Sequence, residues 1–297
     1  MRWYESARKK RILPVCVVDF FNGWENGVTI VSLLSREYDM RFTENPTVVL
    51  CHQFGGEHKK YDCPKIFTAG ETWPFLPDDY DLLFTFDYRE TEKTFRFPLY
   101  GYYYPGTTLC KNFSREMGRN VLSQKTEFCN FVYSNGYPQD RIRFMELLSE
   151  YKRVDCCGHV MNNTGFHVEG THSGPEKIRF LSKYKFTLAF ENDSKTGYTT
   201  EKICGAMAAN SIPVYFGNPE VHRDFNPKSF VNVHDYPSFD KAVERIIELD
   251  QNDELYLDVL CEPWFHDNIP TPYTDTNQLL SRLVSWIESR HLSLEPL

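Results

Sequence analysis

Residues 185–210 read KFTLAFENDSKTGYTTEKICGAMAAN, and the fold turns on how this stretch divides. Lys185 to Glu191 is an apolar run of strand length. Thr199 to Asn210 has the composition of a helix, with Thr199 or Thr200 placed to be its N-cap. Across the junction, FENDSKTGYTTEK carries three acidic residues, two lysines, Gly197 and Tyr198. A strand that runs through a polar loop into a helix is half of a parallel βαβ unit. At this scale a plain loop and a phosphate site look alike.

The same alternation continues on both sides of the junction. Upstream, EFCNFVYSN reads as a strand, Asp140–Lys152 as an amphipathic helix, RVDCCGHV as a short strand, and PEKIRFLSKYK as a helix with Pro175 in its first turn. Downstream, IPVYFGN is a strand and SFDKAVERIIELDQ a helix with a serine N-cap; TNQLLSRLVSWIESRH is a final helix. Nearer the start, ILPVCVVDF, PTVVLCHQF, CPKIFTAGE and YDLLFTFDY are strand-like, and Val28–Met40 has helical spacing. The expectation is an α/β protein of two halves, each with a mostly parallel sheet and right-handed crossovers. The polar stretch Asn112–Gln124 is read as the boundary. It gives a first domain over 1–122, a second over 123–270 and a terminal helix over 271–297.

Composition narrows the class. The chain has 297 residues, 41% hydrophobic and 25% charged, as in an ordinary globular protein. Its net charge of −8 argues against a general nucleic-acid binder, although not against a local anion pocket. Aromatics reach 15%, which suits either a carbohydrate or nucleotide surface or simply an aromatic core. Nine cysteines show no disulfide framework. Cys16, Cys51, Cys129 and Cys204 lie in apolar runs and read as reduced core residues of a cytosolic protein. Cys156-Cys157-Gly158-His159 has no second ligand pair at zinc spacing and reads as a buried strand end. No apolar run approaches the roughly 20 residues that a spanning helix needs. Arg8–Arg11 is a basic lead-in to a first buried strand.

Ligands of parallel α/β sheets sit at the carboxyl ends of the strands. Lys202 falls in the first turn of the helix after FENDSKTGYTT, where a cation opposes the helix dipole unless it meets an anion. It either faces an anionic ligand or snorkels to solvent. Arg141 lies equally early in its helix, and is read as half of a diphosphate clamp or as a surface salt bridge. Glu71 follows the strand KIFTA beside Trp73. It is a candidate base desolvated by that ring, or an exposed loop glutamate. Asp79-Tyr80-Asp81 matches a D-x-D metal pattern but sits in a proline-containing turn, where a solvated role is expected. GxGxxG, P-loop, GxSxG and HExxH patterns are missing.

Taken together, FxLxFEN, YxTEK, IPVYFGNP and FNPKSFVNVHDY resemble the donor-binding signature of the α1,3/4-fucosyltransferase family, most closely its bacterial, Helicobacter-type members. The likeness extends to SN before Arg141 and Phe144, to TAGE with Glu71, and to VVDFF. It implies two Rossmann-like domains facing a cleft (the GT-B architecture), and inverting transfer of L-fucose from GDP-fucose to the 3-hydroxyl of GlcNAc or glucose in a β-galactoside, with a Lewis x-type product. It implies Glu71 as the general base, Arg141 and Lys202 on the leaving diphosphate, Tyr198 donating to phosphate, and Asn192 and Glu201 holding the nucleotide-sugar. Phe20, Phe21, Trp24 and Trp73 are candidate acceptor platforms for Galβ1-4GlcNAc or lactose. No metal is required on this reading, with Mn²⁺ at most stimulatory. The expected location is cytoplasmic or peripheral at the inner membrane, because a membrane anchor and the heptad and basic tail of some relatives are not evident. Another nucleotide-sugar transferase, or an inactive sugar-binding protein on the same fold, are the alternatives.

Overall fold

The apolar run RILPVCVV forms strand β1 (Arg11–Val18), followed by α1 (Glu25–Leu34), β2 (Tyr38–Phe42), β3 (Val48–His52), β4 (Lys65–Ala69), β5 (Leu82–Thr85) and β6 (Thr94–Arg96). The computed structural model describes residues 10–20, 25–72, 79–168, 173–290 and 292. By their contacts they fall into two units, Met1–Phe97 with Asp275–Leu297, and Pro98–Thr274. In the first unit all six strands pair in parallel, in the order β2-β1-β3-β4-β5-β6. The chain lays β2 on one side of β1 and β3 on the other. The loops leaving β1 and β3 therefore splay apart at the carboxyl edge, a topological switch point. Val49, Cys51, Phe67, Ala69 and Leu83 form its buried apolar centre.

The helix expected over Val28–Met40 is shorter and earlier. Ile30, Leu33 and Leu34 are buried at helical spacing, but the helix stops at Leu34, and Tyr38–Phe42 becomes an edge strand paired with β1. Alternation decides this: Tyr38 and Met40 turn inward relative to Asp39 and Arg41, a period of two that a helical reading overlooks.

The second unit contains α2 (Leu99–Tyr103), α3 (Arg115–Ser123), β7 (Glu127–Phe131), α4 (Gln139–Ser149), β8 (Val154–Cys156), α5 (Pro175–Leu181), β9 (Tyr184–Phe190), α6 (Glu201–Ala208), β10 (Ile212–Phe216), β11 (Val231–Asn232), α7 (Phe239–Gln251) and α8 (Asp253–Cys261). Its strands are all parallel in the order β11-β10-β9-β7-β8. Here the switch point lies between β7 and β9. Phe131, Phe144, Phe186, Phe190 and Val214 pack the core around it.

The expected boundaries shift. The units divide after Phe97 rather than near residue 122. The polar stretch Asn112–Gln124 contains α3, a helix of the second unit, N-capped by Ser114 and tied to α8 by Arg115 pairs with Glu254 (2.7 Å) and Asp258 (2.5 Å). The terminal helix α9 (Thr276–Ser289) belongs to the first unit, where Glu288 pairs with Arg11 at 2.6 Å and Asn277 accepts from Arg36 at 2.9 Å. All nine cysteines are free; Cys51, Cys129 and Cys204 are buried as expected, as is the Cys156-Cys157 strand end, while Cys16 is only half-buried.

Candidate active site

In the second unit the loops after β7 and β9 flank the switch point, and the junction FENDSKTGYTTEK is one of them. Glu191 follows β9 directly and organises it. Its carboxylate accepts from the Thr200 backbone N–H (2.7 Å), the Thr200 hydroxyl (2.6 Å) and Lys202 Nζ (3.1 Å). Thr200 is the N-cap residue of α6, but its hydroxyl donates to Glu191 instead of capping the helix. Lys202 therefore neither snorkels free nor waits for a ligand alone. The first anion it meets is Glu191, whose side chain is 0% exposed against 18% for Lys202. Burial pushes the Glu191 carboxyl up, and Lys202 and Thr200 pull against that rise. A β-carbon at Gly217 would come within 2.4 Å of Glu191 Cγ, so only glycine fits there.

Arg141, in the first turn of α4, is 1% exposed and donates to the Glu191 carbonyl (3.0 Å) and to Asn192 Oδ1 (2.7 Å). Its guanidinium lies 4.3 Å over the Tyr133 ring, and Tyr133 is itself bonded to Leu188 O and Phe190 N–H. The surface salt bridge weighed for Arg141 is thus replaced by a buried anchor for the loop. Asn218 holds the loop's far end, accepting from the Gly197 N–H (2.8 Å) and donating to the Thr199 hydroxyl (3.1 Å). Tyr198 and Glu201 are both buried, and Asn192 is half-buried. Lys177 on α5 is a further cation here: burial lowers its pKa, and it senses Glu201 and Lys202.

In the first unit, Glu71 stands two residues past β4 and is half-buried. Its backbone is gripped by the Gln53 side chain, which donates to Glu71 O (3.0 Å) and accepts from Glu71 N–H (3.2 Å). Across the switch point, Asp19 sits at φ +67°, a left-handed conformation that costs a non-glycine residue about 1 kcal/mol. Its carboxylate offsets this by accepting from Glu57 N–H (2.8 Å), His58 N–H (3.0 Å) and His58 Nδ1 (2.5 Å). The Phe20 ring lies 5.2 Å from His52, whose pKa burial lowers to about 4. Phe21, Trp24 and Trp73 lie outside the described residues. Asp79 and Asp81 part company: Asp79 lies 3.4 Å from His58 Nε2, while Asp81 accepts from Lys65 N–H at 3.0 Å and pairs with Arg290 at 3.4 Å. Among the described residues no group of three or more His, Cys, Asp or Glu could hold a metal ion.

Sequence reasoning assigned no role to Glu191, Asn218, Gln53, Asp19 or His58. Glu191 had a signal, a lone carboxylate at the end of the apolar run FTLAF. Gln53 had none, because a side chain that bonds a backbone 18 residues away leaves no local pattern.

Two family models match the chain. "Glycosyltransferase family 10 (fucosyltransferase) C-term" matches residues 122–267, and "Alpha-(1,3)-fucosyltransferase FucT N-terminal domain" matches residues 15–103. Together they take in about four-fifths of the sequence. The Alpha-(1,3)-fucosyltransferase FucT of Helicobacter pylori is 44% identical over 138 residues, 46% of this chain and 28% of that protein. The chain spans a quarter to a third of the length of the curated relatives it matches first. A crystal structure of an α1,3-fucosyltransferase superposes with a TM-score of 0.78 at 27% identity, covering 97% of this chain and 93% of that one. The structure of an α1,3-fucosyltransferase with GDP-fucose gives 0.77 at 26% identity, covering 97% and 94%. The α/β architecture with parallel sheets is therefore that of the GT-B fucosyltransferases. Among the described residues no helix is long and apolar enough to cross a membrane.

Proposed function

The chain belongs to glycosyltransferase family 10, the fucosyltransferases, and from that premise we propose that it transfers L-fucose from GDP-fucose to the 3-hydroxyl of GlcNAc, or glucose, in a β-galactoside, with inversion at the anomeric carbon. The observation that carries this reading is the loop 191–200, held between a buried arginine and a lysine–glutamate pair at a switch point, in a chain whose structural relatives include one with GDP-fucose.

Glu71 takes the proton of the acceptor hydroxyl as that oxygen bonds the anomeric carbon. The carbon–oxygen bond to the diphosphate breaks, and GDP leaves carrying the electron pair. Lys202, the more exposed cation, meets the diphosphate directly together with the N-terminus of α6. Arg141 acts from inside, since a buried charge a few ångströms away is weakly screened. Asn218 keeps the loop's shape, Tyr198 donates to phosphate, and Asn192 and Glu201 hold the nucleotide-sugar. Phe20, with Phe21, Trp24 and Trp73, supplies rings for the acceptor's apolar faces. Nine free cysteines suit a reducing compartment and support a cytoplasmic or inner-membrane-peripheral enzyme.

GDP is expected to bind in preference to UDP and ADP. Lys202→Ala is expected to weaken GDP by about 1.5–3 kcal/mol, the range for hydrogen bonds to charged groups, and Arg141→Ala to weaken it through the lost buried charge and the loosened loop. Calorimetry that finds GDP affinity unaltered in both variants refutes the clamp. The reading also gives the diphosphate to protein cations rather than to a metal. Turnover is expected to survive EDTA, with Mn²⁺ at most stimulatory. Complete loss in EDTA, restored only by a divalent ion, assigns that charge to a metal.

A further inference from the structure

We propose that Gln53 is a positioning residue for Glu71, fixing the direction of its carboxylate through a two-point clamp on its backbone. The inference rests on Glu71 being the general base. The β3–β4 ladder ends at the pair His52 and Thr68. Beyond it the two strands pair no further, and Glu71 lies in the turn that follows. The carboxamide of Gln53, itself 4% exposed, takes over the ladder's work: Nε2 donates to Glu71 O at 3.0 Å and Oε1 accepts from Glu71 N–H at 3.2 Å. Both bonds go to the main chain of one residue. They set its orientation about the chain axis.

Gln53 can hold Glu71 only if its own loop is held, and the other side of the switch point does that. Asp19 accepts from Glu57 N–H, His58 N–H and His58 Nδ1, pinning the 53–58 loop to the end of β1. Gly55 lies so close that an added β-carbon would sit 2.2 Å from Asp19 Oδ1. The chain of fixed groups thus runs from Asp19 through the 55–58 loop to Gln53 and Glu71. General-base transfer depends steeply on such placement, with a misplacement of about 1 Å costing on the order of 10²-fold.

The test compares Gln53→Met, which keeps length and removes both bonds, with Gln53→Glu, which keeps the acceptor for Glu71 N–H and loses the donor. Each is assayed with GDP-fucose and N-acetyllactosamine, with Glu71→Gln alongside. Two readouts are independent of the amount of folded enzyme: the KM for GDP-fucose, and GDP released per fucosylated product, which counts hydrolysis by water against transfer. Gln53→Met is expected to lower kcat about 10–100-fold, with donor KM within about twofold and severalfold more GDP released per product. Gln53→Glu is expected to show a smaller change of the same kind. If Gln53→Met does not fold, Gln53→Glu alone carries the comparison. Folded variants with the wild-type ratio of GDP to product overturn the positioning role if Glu71→Gln is inactive. If Glu71→Gln still transfers fucose, the base assignment itself falls, and the positioning role with it.

Discussion

Glu71→Gln is expected to cut transfer to the acceptor by about 10²–10⁴-fold, the usual share of a positioned general base, while GDP affinity stays near that of the wild type. The substitution preserves size and the backbone N–H and carbonyl that Gln53 grips, so the turn after β4 keeps its shape. What it removes is the carboxylate proposed to take the hydroxyl proton as the glycosidic bond forms. GDP affinity is spared because every donor-binding group assigned here belongs to the second unit. Steady-state rates with GDP-fucose and N-acetyllactosamine, together with GDP calorimetry, check both halves. Turnover within a few-fold of wild type, or a matching loss of GDP binding, removes Glu71 from the base role.

Glu191→Ala is expected to be the most damaging change in the second unit. Three donors converge on this carboxylate: the Thr200 N–H, its hydroxyl and Lys202. Truncation strands the Thr200 N–H at the start of α6 and leaves Lys202 beside a void. Breaking a buried pair costs about 3–5 kcal/mol, and the partial exposure of Lys202 puts this case at about 3 kcal/mol. Glu191→Gln keeps an acceptor for the Thr200 N–H and is expected to lose about half as much. Chemical denaturation of the three proteins gives the order directly. Equal stability of Glu191→Ala and wild type would mean that the carboxylate does not organise the loop. GDP binding should fall with stability, because the same loop carries Asn192 and precedes Lys202.

Much of this was legible beforehand because the information is local. The strand KFTLAFE and the helix after TTEK announce themselves by hydrophobic run length and cap chemistry, and the alternation of the second half follows. Two errors have one cause. Tyr38–Met40 reads as the end of a helix and 112–124 as a linker, because both segments are short and largely polar and α3 fully buries only Gly118. Ion pairs between α3 and α8, residues about 140 positions apart, do not show in either segment alone. At the site the cations were visible because they sit where a helix dipole disfavours them. Their partners are not: Arg141 meets the Glu191 carbonyl and Asn192, about 50 residues on, only when β7 and β9 lie side by side.

The most direct test of the central claim is the structure of the product. The purified enzyme is given GDP-fucose and Galβ1-4GlcNAc, and the trisaccharide is solved by NMR. The account predicts one α-linked fucose on the 3-hydroxyl of GlcNAc. Fucose placed α1,2 on galactose, fucose in β linkage, or release of GDP with no trisaccharide at all would contradict it.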